Sequence, residues 1–134
     1  MTEENKKENI KAELEGAAKT LLEADLLFKN SFFKGAVSRL YYSLLYSIRA
    51  LLLIKGLEPK SHEGALRLFS LHFVKEGRFE AKASHVFSKM MKYREEADYN
   101  PAYIFSKEDF VELRKEVGEL SDEIMAYLKE KGYL

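Results

Sequence analysis

The sequence predicts an all-α fold: an up-and-down antiparallel helical bundle of four long helices and one short helix. Apolar residues recur at spacings of three and four along most of the chain, and no segment alternates with the period of a strand. The connections between these segments are short, which favours antiparallel neighbours. With 134 residues, of which 46% are hydrophobic and 33% charged, the chain has the size and composition of one globular domain. We therefore expect a single domain over residues 1–134.

Five helical segments follow from the apolar periodicity. The first four are predicted at residues 5–29, 32–55, 62–75 and 79–98, the third being the short one. The fifth has the clearest start, because Phe105 and Phe110 flank the N-cap Ser106 in the pattern of a hydrophobic staple. Gly132 is expected to end it. In the first helix, Gly16 lies beside the apolar seam, where it suits the close approach of a neighbouring helix.

The second predicted helix carries two stripes of side chains. It is apolar over most of its circumference, so it is expected either in the centre of the bundle or against a second subunit. Its other stripe consists of Arg39, Tyr42, Tyr46 and Arg49. Interleaved arginine and tyrosine suit a protein interface, and they also stack on and pair with nucleotides. The simpler interpretation is that the rings pack in the bundle with their hydroxyls at the rim.

Composition excludes several kinds of site. The chain has no cysteine, so disulfides and thiolate ligands are excluded. None of the three histidines has another at the helical spacing of a metal site, and we expect neither a metal nor a cofactor. The formal net charge is zero, which argues against tight binding of long nucleic acids. No signal peptide or membrane span is evident, so a cytoplasmic location is expected.

Two short segments could carry chemistry. At the end of the fourth helix, Arg94 and Asp98 share one helical face, and Tyr99 follows them. Arginine suits phosphate recognition, although an ion pair alone would explain this spacing. At the start of the third helix, Ser61 is a predicted N-cap, and the helix start together with His62 could hold an anion. Capping alone would explain this second segment.

The motifs, taken together, resemble those of the HEPN family. The resemblance spans nearly the whole chain and depends on the order and spacing of four segments. These are residues 36–43 (AVSRLYYS), 60–64 (KSHEG), 71–74 (LHFV) and 94–99 (REEADY). Each motif is weak alone, but their succession is fairly specific.

The resemblance implies a helical bundle that commonly forms a homodimer. Many members of the family are metal-independent RNases with an arginine, four to six further residues and then a histidine. Many are also encoded beside a minimal nucleotidyltransferase, as a toxin–antitoxin pair. Arg94 matches the family arginine. After four further residues, at the first position where the family histidine is expected, this sequence has Tyr99. Pro101 occupies the position two residues later, where the family often has a tyrosine. Tyrosine titrates near pH 10, so it is a poor general base at neutral pH.

Three functional hypotheses remain open from the sequence. In the first, the protein is a homodimeric HEPN partner of a nucleotidyltransferase and binds a nucleotide or RNA. The binding residues would be Arg94, Arg39, Tyr42 and His62. The residues at an interface would be Tyr42, Tyr46 and Arg49. In the second, it is an RNase toxin in which Arg94 stabilises the phosphate while Tyr99, Asp98 or His62 transfers the proton. In the third, it is a structural interaction protein without a ligand.

Overall fold

The computed structural model describes residues 2–134, and over this range the chain is helical without a strand. Its elements, all within the described range, are α1 (Glu3–Lys29), α2 (Phe33–Leu53), α3 (His62–Phe69), a π-helical turn (Ser70–Val74), α4 (Ala81–Tyr99) and α5 (Lys107–Glu130). The predicted bundle of four long helices and one short helix is therefore confirmed. Within residues 2–134, no helix combines the length and apolar character needed to cross a bilayer.

Helix α2 is the central element of the bundle. Its longest contact is with α1, and it also packs against α3, α4 and α5. Buried side chains cover most of its circumference, among them Val37, Leu40, Leu44, Ile48 and Leu51. The sequence predicted that this apolar surface lies either in the centre of the bundle or against a second subunit, and in the structure it lies in the centre of the bundle. The burial of these aliphatic side chains is the main stabilising contribution to the fold.

Short-range signals set the ends of two helices, and one of them is the predicted N-cap Ser106. The Ser106 hydroxyl accepts a hydrogen bond from the Asp109 amide, and the Asp109 carboxylate accepts one from the Ser106 amide, which forms a capping box. After α2, Gly56 adopts a φ of 69°, a left-handed conformation that glycine accepts without strain. The Leu57 amide then donates to the Leu52 carbonyl, which completes a Schellman ending.

The structure corrects several of the predicted boundaries: α1 begins at Glu3, α2 spans Phe33–Leu53, and the third and fourth helices differ as well. The third helix is not one α-helix over residues 62–75, because it changes after Phe69 into the π-helical turn, where the Lys75 amide donates to the Ser70 carbonyl. The fourth helix begins at Ala81 and not at residue 79. Phe79 belongs to the preceding turn, since its amide donates to the Phe73 carbonyl and its ring packs against the core.

Candidate functional site

Arg94 is a buried arginine near the end of α4, with only 7% of its surface exposed. Its guanidinium carbon lies 5.5 Å from the ring centre of Tyr41 and 5.6 Å from that of Tyr99. The predicted ion pair with Asp98 is present, with 3.7 Å between Nη1 and Oδ2. Nη1 also lies 3.4 Å from the Tyr99 hydroxyl. Both distances exceed the roughly 2.7–3.2 Å of a well-formed hydrogen bond, so two aromatic rings hold the guanidinium while its polar contacts are weak.

The guanidinium of Arg94 has unused hydrogen-bonding capacity. Its Nε atom is buried and has no hydrogen-bond partner among the residues that the structure describes. Burial acts to lower the pKa of Arg94, but Tyr42, Tyr41 and Asp98 outweigh it and the pKa is raised, so the side chain keeps its charge. A buried polar atom without a hydrogen-bond partner is costly. Such a group is well suited to receive an anionic ligand.

His62 is positioned by a helix cap and by a buried tyrosine. The Ser61 hydroxyl accepts a hydrogen bond of 2.9 Å from the Gly64 amide, which confirms Ser61 as the N-cap and makes His62 the first residue of α3. The Nδ1 atom of His62 is hydrogen-bonded to the hydroxyl of Tyr41. Tyr41 is fully buried in α2, with its ring stacked on Phe87. The imidazole therefore has a fixed orientation relative to α2.

The protonation states of these two side chains limit the hydrogen bond between them to one shared proton. Burial raises the pKa of Tyr41, although Arg94 acts in the opposite direction, so the hydroxyl stays protonated. Burial, followed by the charges of Arg94 and Arg49, lowers the pKa of His62 below 6.5, so the ring is neutral at pH 7. We assign Tyr41 as the donor to Nδ1, because the phenol O–H is more acidic than the N–H of a neutral imidazole. The proton of neutral His62 then lies on Nε2, which makes this atom a hydrogen-bond donor.

Arg94 and His62 line one open cleft, together with Glu95, Glu96, Tyr99 and Asn100. We call it the Arg94–His62 cleft. Tyr99 is 74% exposed at its rim. The acidic side chains of Glu95 and Glu96 act electrostatically against the approach of a long polyanion here.

The surface continues from this cleft to two further residues predicted from the sequence. The ring of Tyr42 meets His62 edge-on at 6.2 Å between centres. The guanidinium carbon of Arg39 lies 5.1 Å from the centre of the Tyr42 ring, and Nη1 of Arg39 lies 3.9 Å from a carboxylate oxygen of Glu23. The four residues predicted to bind a nucleotide, Arg94, Arg39, Tyr42 and His62, are thus brought together although they come from three helices.

The two remaining residues of the predicted stripe have other surroundings. Tyr46 is half-buried, and its ring would lie 3.5 Å from a Cβ built on Gly16, so it packs between α2 and α1. Arg49 lines a separate cleft with Glu13 and Glu58. No cluster of three or more potential metal ligands forms within residues 2–134.

Sequence reasoning missed the role of Tyr41. The sequence places Tyr41 on the apolar surface of α2, a position that predicts packing of its ring but no role for its hydroxyl. A signal was nevertheless present, since a tyrosine on a wholly buried face needs a partner for its hydroxyl. It also missed Glu13, because 35 residues separate Glu13 from Arg49 and no local pattern links them.

The sequence matches the HEPN domain over residues 10–129, and the chain therefore belongs to the HEPN family. Two similar proteins come from Methanocaldococcus jannaschii, and both bear the name "Putative toxin". One is 41% identical over 93 residues, which are 69% of each chain. The other is 32% identical over 128 residues, which are 96% of this chain and 77% of the relative. A UPF0332 protein of Thermotoga maritima is 38% identical over 93 residues, covering 69% of this chain and 70% of its own.

Proposed function

We propose that this protein is the HEPN subunit of a toxin–antitoxin-type system and that the Arg94–His62 cleft binds a phosphate group of RNA or of a nucleotide. One observation carries the proposal: the buried Nε of Arg94 has no hydrogen-bond partner within residues 2–134, and Arg94 lines one cleft together with His62. The toxin–antitoxin setting is supported by family membership and by the names of the two archaeal relatives.

Binding follows from the donors that line the cleft. The guanidinium supplies a planar fork that matches phosphate oxygens, and a neutral imidazole adds a donor without further charge repulsion of Arg94. The rings of Tyr42 and Tyr99 supply flat surfaces next to these donors, on which a ribose or a base can stack. In this arrangement the protein holds its ligand without a metal or another cofactor.

Self-association and a partner belong to the same proposal. We expect a homodimer that works with a minimal nucleotidyltransferase, as the family resemblance implies. Two exposed apolar side chains, Phe32 and Ile104, support association because they line a groove at one end of the bundle. Light scattering of the purified protein tests the dimer, and co-purification with the product of a neighbouring gene tests the partner.

The phosphate site is tested by RNA binding. A labelled single-stranded oligo(U) hexamer is titrated with the native protein and the Arg94→Ala variant, and fluorescence anisotropy is measured. Because charge-assisted hydrogen bonds are lost, we expect affinity to fall about 10- to 100-fold. The matched control is Arg67→Ala, which removes an exposed arginine of α3. Unchanged affinity in Arg94→Ala, with its helical circular dichroism intact, contradicts the proposal.

A second candidate function, a metal-independent RNase, is favoured by the shared cleft of His62 and Arg94. In this reaction His62 would transfer the proton and Arg94 would stabilise the phosphate. The hydrogen bond from Tyr41 works against it, since Nε2 can accept a proton only after the Tyr41 hydroxyl turns to accept from Nδ1. RNA cleavage in EDTA that is lost in both His62→Gln and Arg94→Ala would establish it, and absence of cleavage by the native protein would remove it.

A further inference from the structure

A second cleft lies between α1, α2 and the segment that leads to α3. Its polar lining consists of Glu13, Arg49 and Glu58, and its apolar lining of Leu53, Leu57 and Pro59. We call it the Glu13–Arg49 cleft. It combines both signs of charge with an apolar wall, which is the usual composition of a small-molecule site.

The charged groups of this cleft are not paired with each other. The Oε2 atom of Glu13 is buried and has no hydrogen-bond partner within residues 2–134. Burial raises the pKa of this carboxyl, and Arg49 only partly offsets the effect. The structure describes no ion pair or hydrogen bond for Arg49 within the same range, although it lines the same cleft. An orphaned carboxylate oxygen opposite an unpaired guanidinium leaves room for a group that bridges them.

The chemistry of the bridging group follows from the two side chains. The carboxylate of Glu13 needs an N–H donor, and the guanidinium of Arg49 needs an acceptor. A planar group that carries both on one edge meets the two needs, and its faces fit the apolar wall of Leu53 and Pro59. A nucleobase with an exocyclic amino group has this edge: in cytosine, the N4 amino group lies next to the N3 acceptor.

The Glu13–Arg49 cleft adjoins the Arg94–His62 cleft. Arg49 lies close enough to His62 that its charge contributes to the lowered pKa of that histidine. Arg49 follows Tyr42 by seven residues on α2, which is about 10 Å along the helix axis. Pro59, in the wall of one cleft, precedes His62, in the wall of the other, by three residues.

We propose that the Glu13–Arg49 cleft is a base-recognition subsite that takes an amino-bearing nucleobase of the strand whose phosphate lies at Arg94. This inference rests on the proposed function of the Arg94–His62 cleft. It adds a specificity: cytosine is preferred to uracil, because cytosine presents its N4 donor to Glu13 and two adjacent acceptors, N3 and O2, to the guanidinium fork of Arg49. When uracil places its N3–H donor at Glu13, it leaves a single carbonyl for Arg49.

The test compares oligo(C) and oligo(U) hexamers, which carry the same charge, in the anisotropy titration. We expect the native protein to bind oligo(C) about tenfold more tightly than oligo(U). Glu13→Gln, which keeps the size of the side chain but removes its charge, abolishes that preference and leaves the affinity for oligo(U) dependent on Arg94. The control is Glu119→Gln, which changes an exposed glutamate of the cleft between α4 and α5 and keeps the preference.

The outcomes separate the two proposals. Arg94-dependent binding of both hexamers with equal affinity overturns the base subsite and leaves the phosphate site standing. A cytosine preference that survives in Glu13→Gln also overturns the subsite. If neither hexamer binds, both proposals fail. Glu13→Gln is expected to fold, since it removes a charge whose Oε2 atom is buried without a hydrogen-bond partner, and its thermal unfolding checks this directly.

Discussion

The hydroxyl of Tyr41 is hydrogen-bonded to Nδ1 of His62, and the ring of the same tyrosine lies beneath the guanidinium of Arg94. One fully buried side chain of α2 therefore positions the two polar groups of the cleft, one from α3 and one from α4. Because Tyr41 is packed against Phe87, the site is attached to the buried core of the bundle. Preorganised donors of this kind lose little entropy when a ligand binds.

Removing the Tyr41 hydroxyl should allow the proton of neutral His62 to occupy either ring nitrogen. Tyr41→Phe keeps the ring packing but leaves Nδ1 without its donor. We expect His62 to change from the Nε2–H form to a mixture of tautomers, visible in long-range ¹H–¹⁵N correlation spectra. The unfolding free energy should fall by about 1 kcal/mol. An unchanged tautomer in Tyr41→Phe would show that the hydrogen bond does not set it, and Tyr133→Phe at the other end of the chain serves as the control.

The lowered pKa of His62 predicts the direction of a pH effect on stability. Below the ordinary pKa of 6.5 the unfolded chain binds a proton that the folded protein resists, so the unfolded state is favoured. The contribution of His62 to stability is thus complete above pH 6.5 and is lost as the pH falls through the folded-state pKa. We expect this step in urea unfolding between the two pKa values, and His62→Gln should lack it. An identical pH profile for both proteins would contradict the assignment.

A bound phosphate should reverse the shift of the His62 pKa. A nearby anion favours the charged imidazolium, so the pKa should rise when oligo(U) is added. The NMR titration of His62 with and without the hexamer measures this change. Arg94→Ala, which weakens binding, should remove the effect of the hexamer, whereas Arg67→Ala should retain it.

Salt dependence should be shallow for a site that holds one phosphate. The net charge is zero, and Glu95 and Glu96 line the cleft, so few counterions are released. Each contacted phosphate of a single strand contributes a slope of about −0.7 to the plot of log affinity against log salt. We expect a slope near this value for oligo(U), measured by anisotropy at several salt concentrations. A slope several times steeper would indicate an extended phosphate track instead.

Gly16 offers a test of the packing between α1 and α2. A Cβ at this position would lie 3.5 Å from the Tyr46 ring, an ordinary contact, so the close approach does not require glycine. Gly16→Ala should stabilise the protein by roughly 0.5–1 kcal/mol through helix propensity, as measured by urea unfolding. Gly56→Ala is the opposite control, because its φ of 69° strains any other residue. Destabilisation by Gly16→Ala would show that the helices pack more tightly here.

The helices were predictable because their signals are local. The apolar period, the N-cap Ser106 and the left-handed Gly56 each act within a few residues. The π-helical turn was not predictable, since a short segment with buried Phe69 and Phe73 reads equally well as α-helix. In the cleft, residue chemistry identified Arg94 and His62 as candidates. Their convergence depends on how α3 and α4 pack against Tyr41, and the spacing of residues in one sequence does not predict such contacts between distant segments.

The most direct measurement of the phosphate site is an NMR titration that observes the side-chain nitrogens of Arg94 and His62 while the oligo(U) hexamer is added. We expect the Arg94 Nε and His62 Nε2 resonances to shift together and to saturate at one hexamer per cleft. Saturable shifts elsewhere, for example along the cleft between α4 and α5, with both of these resonances unmoved, would contradict the proposed site.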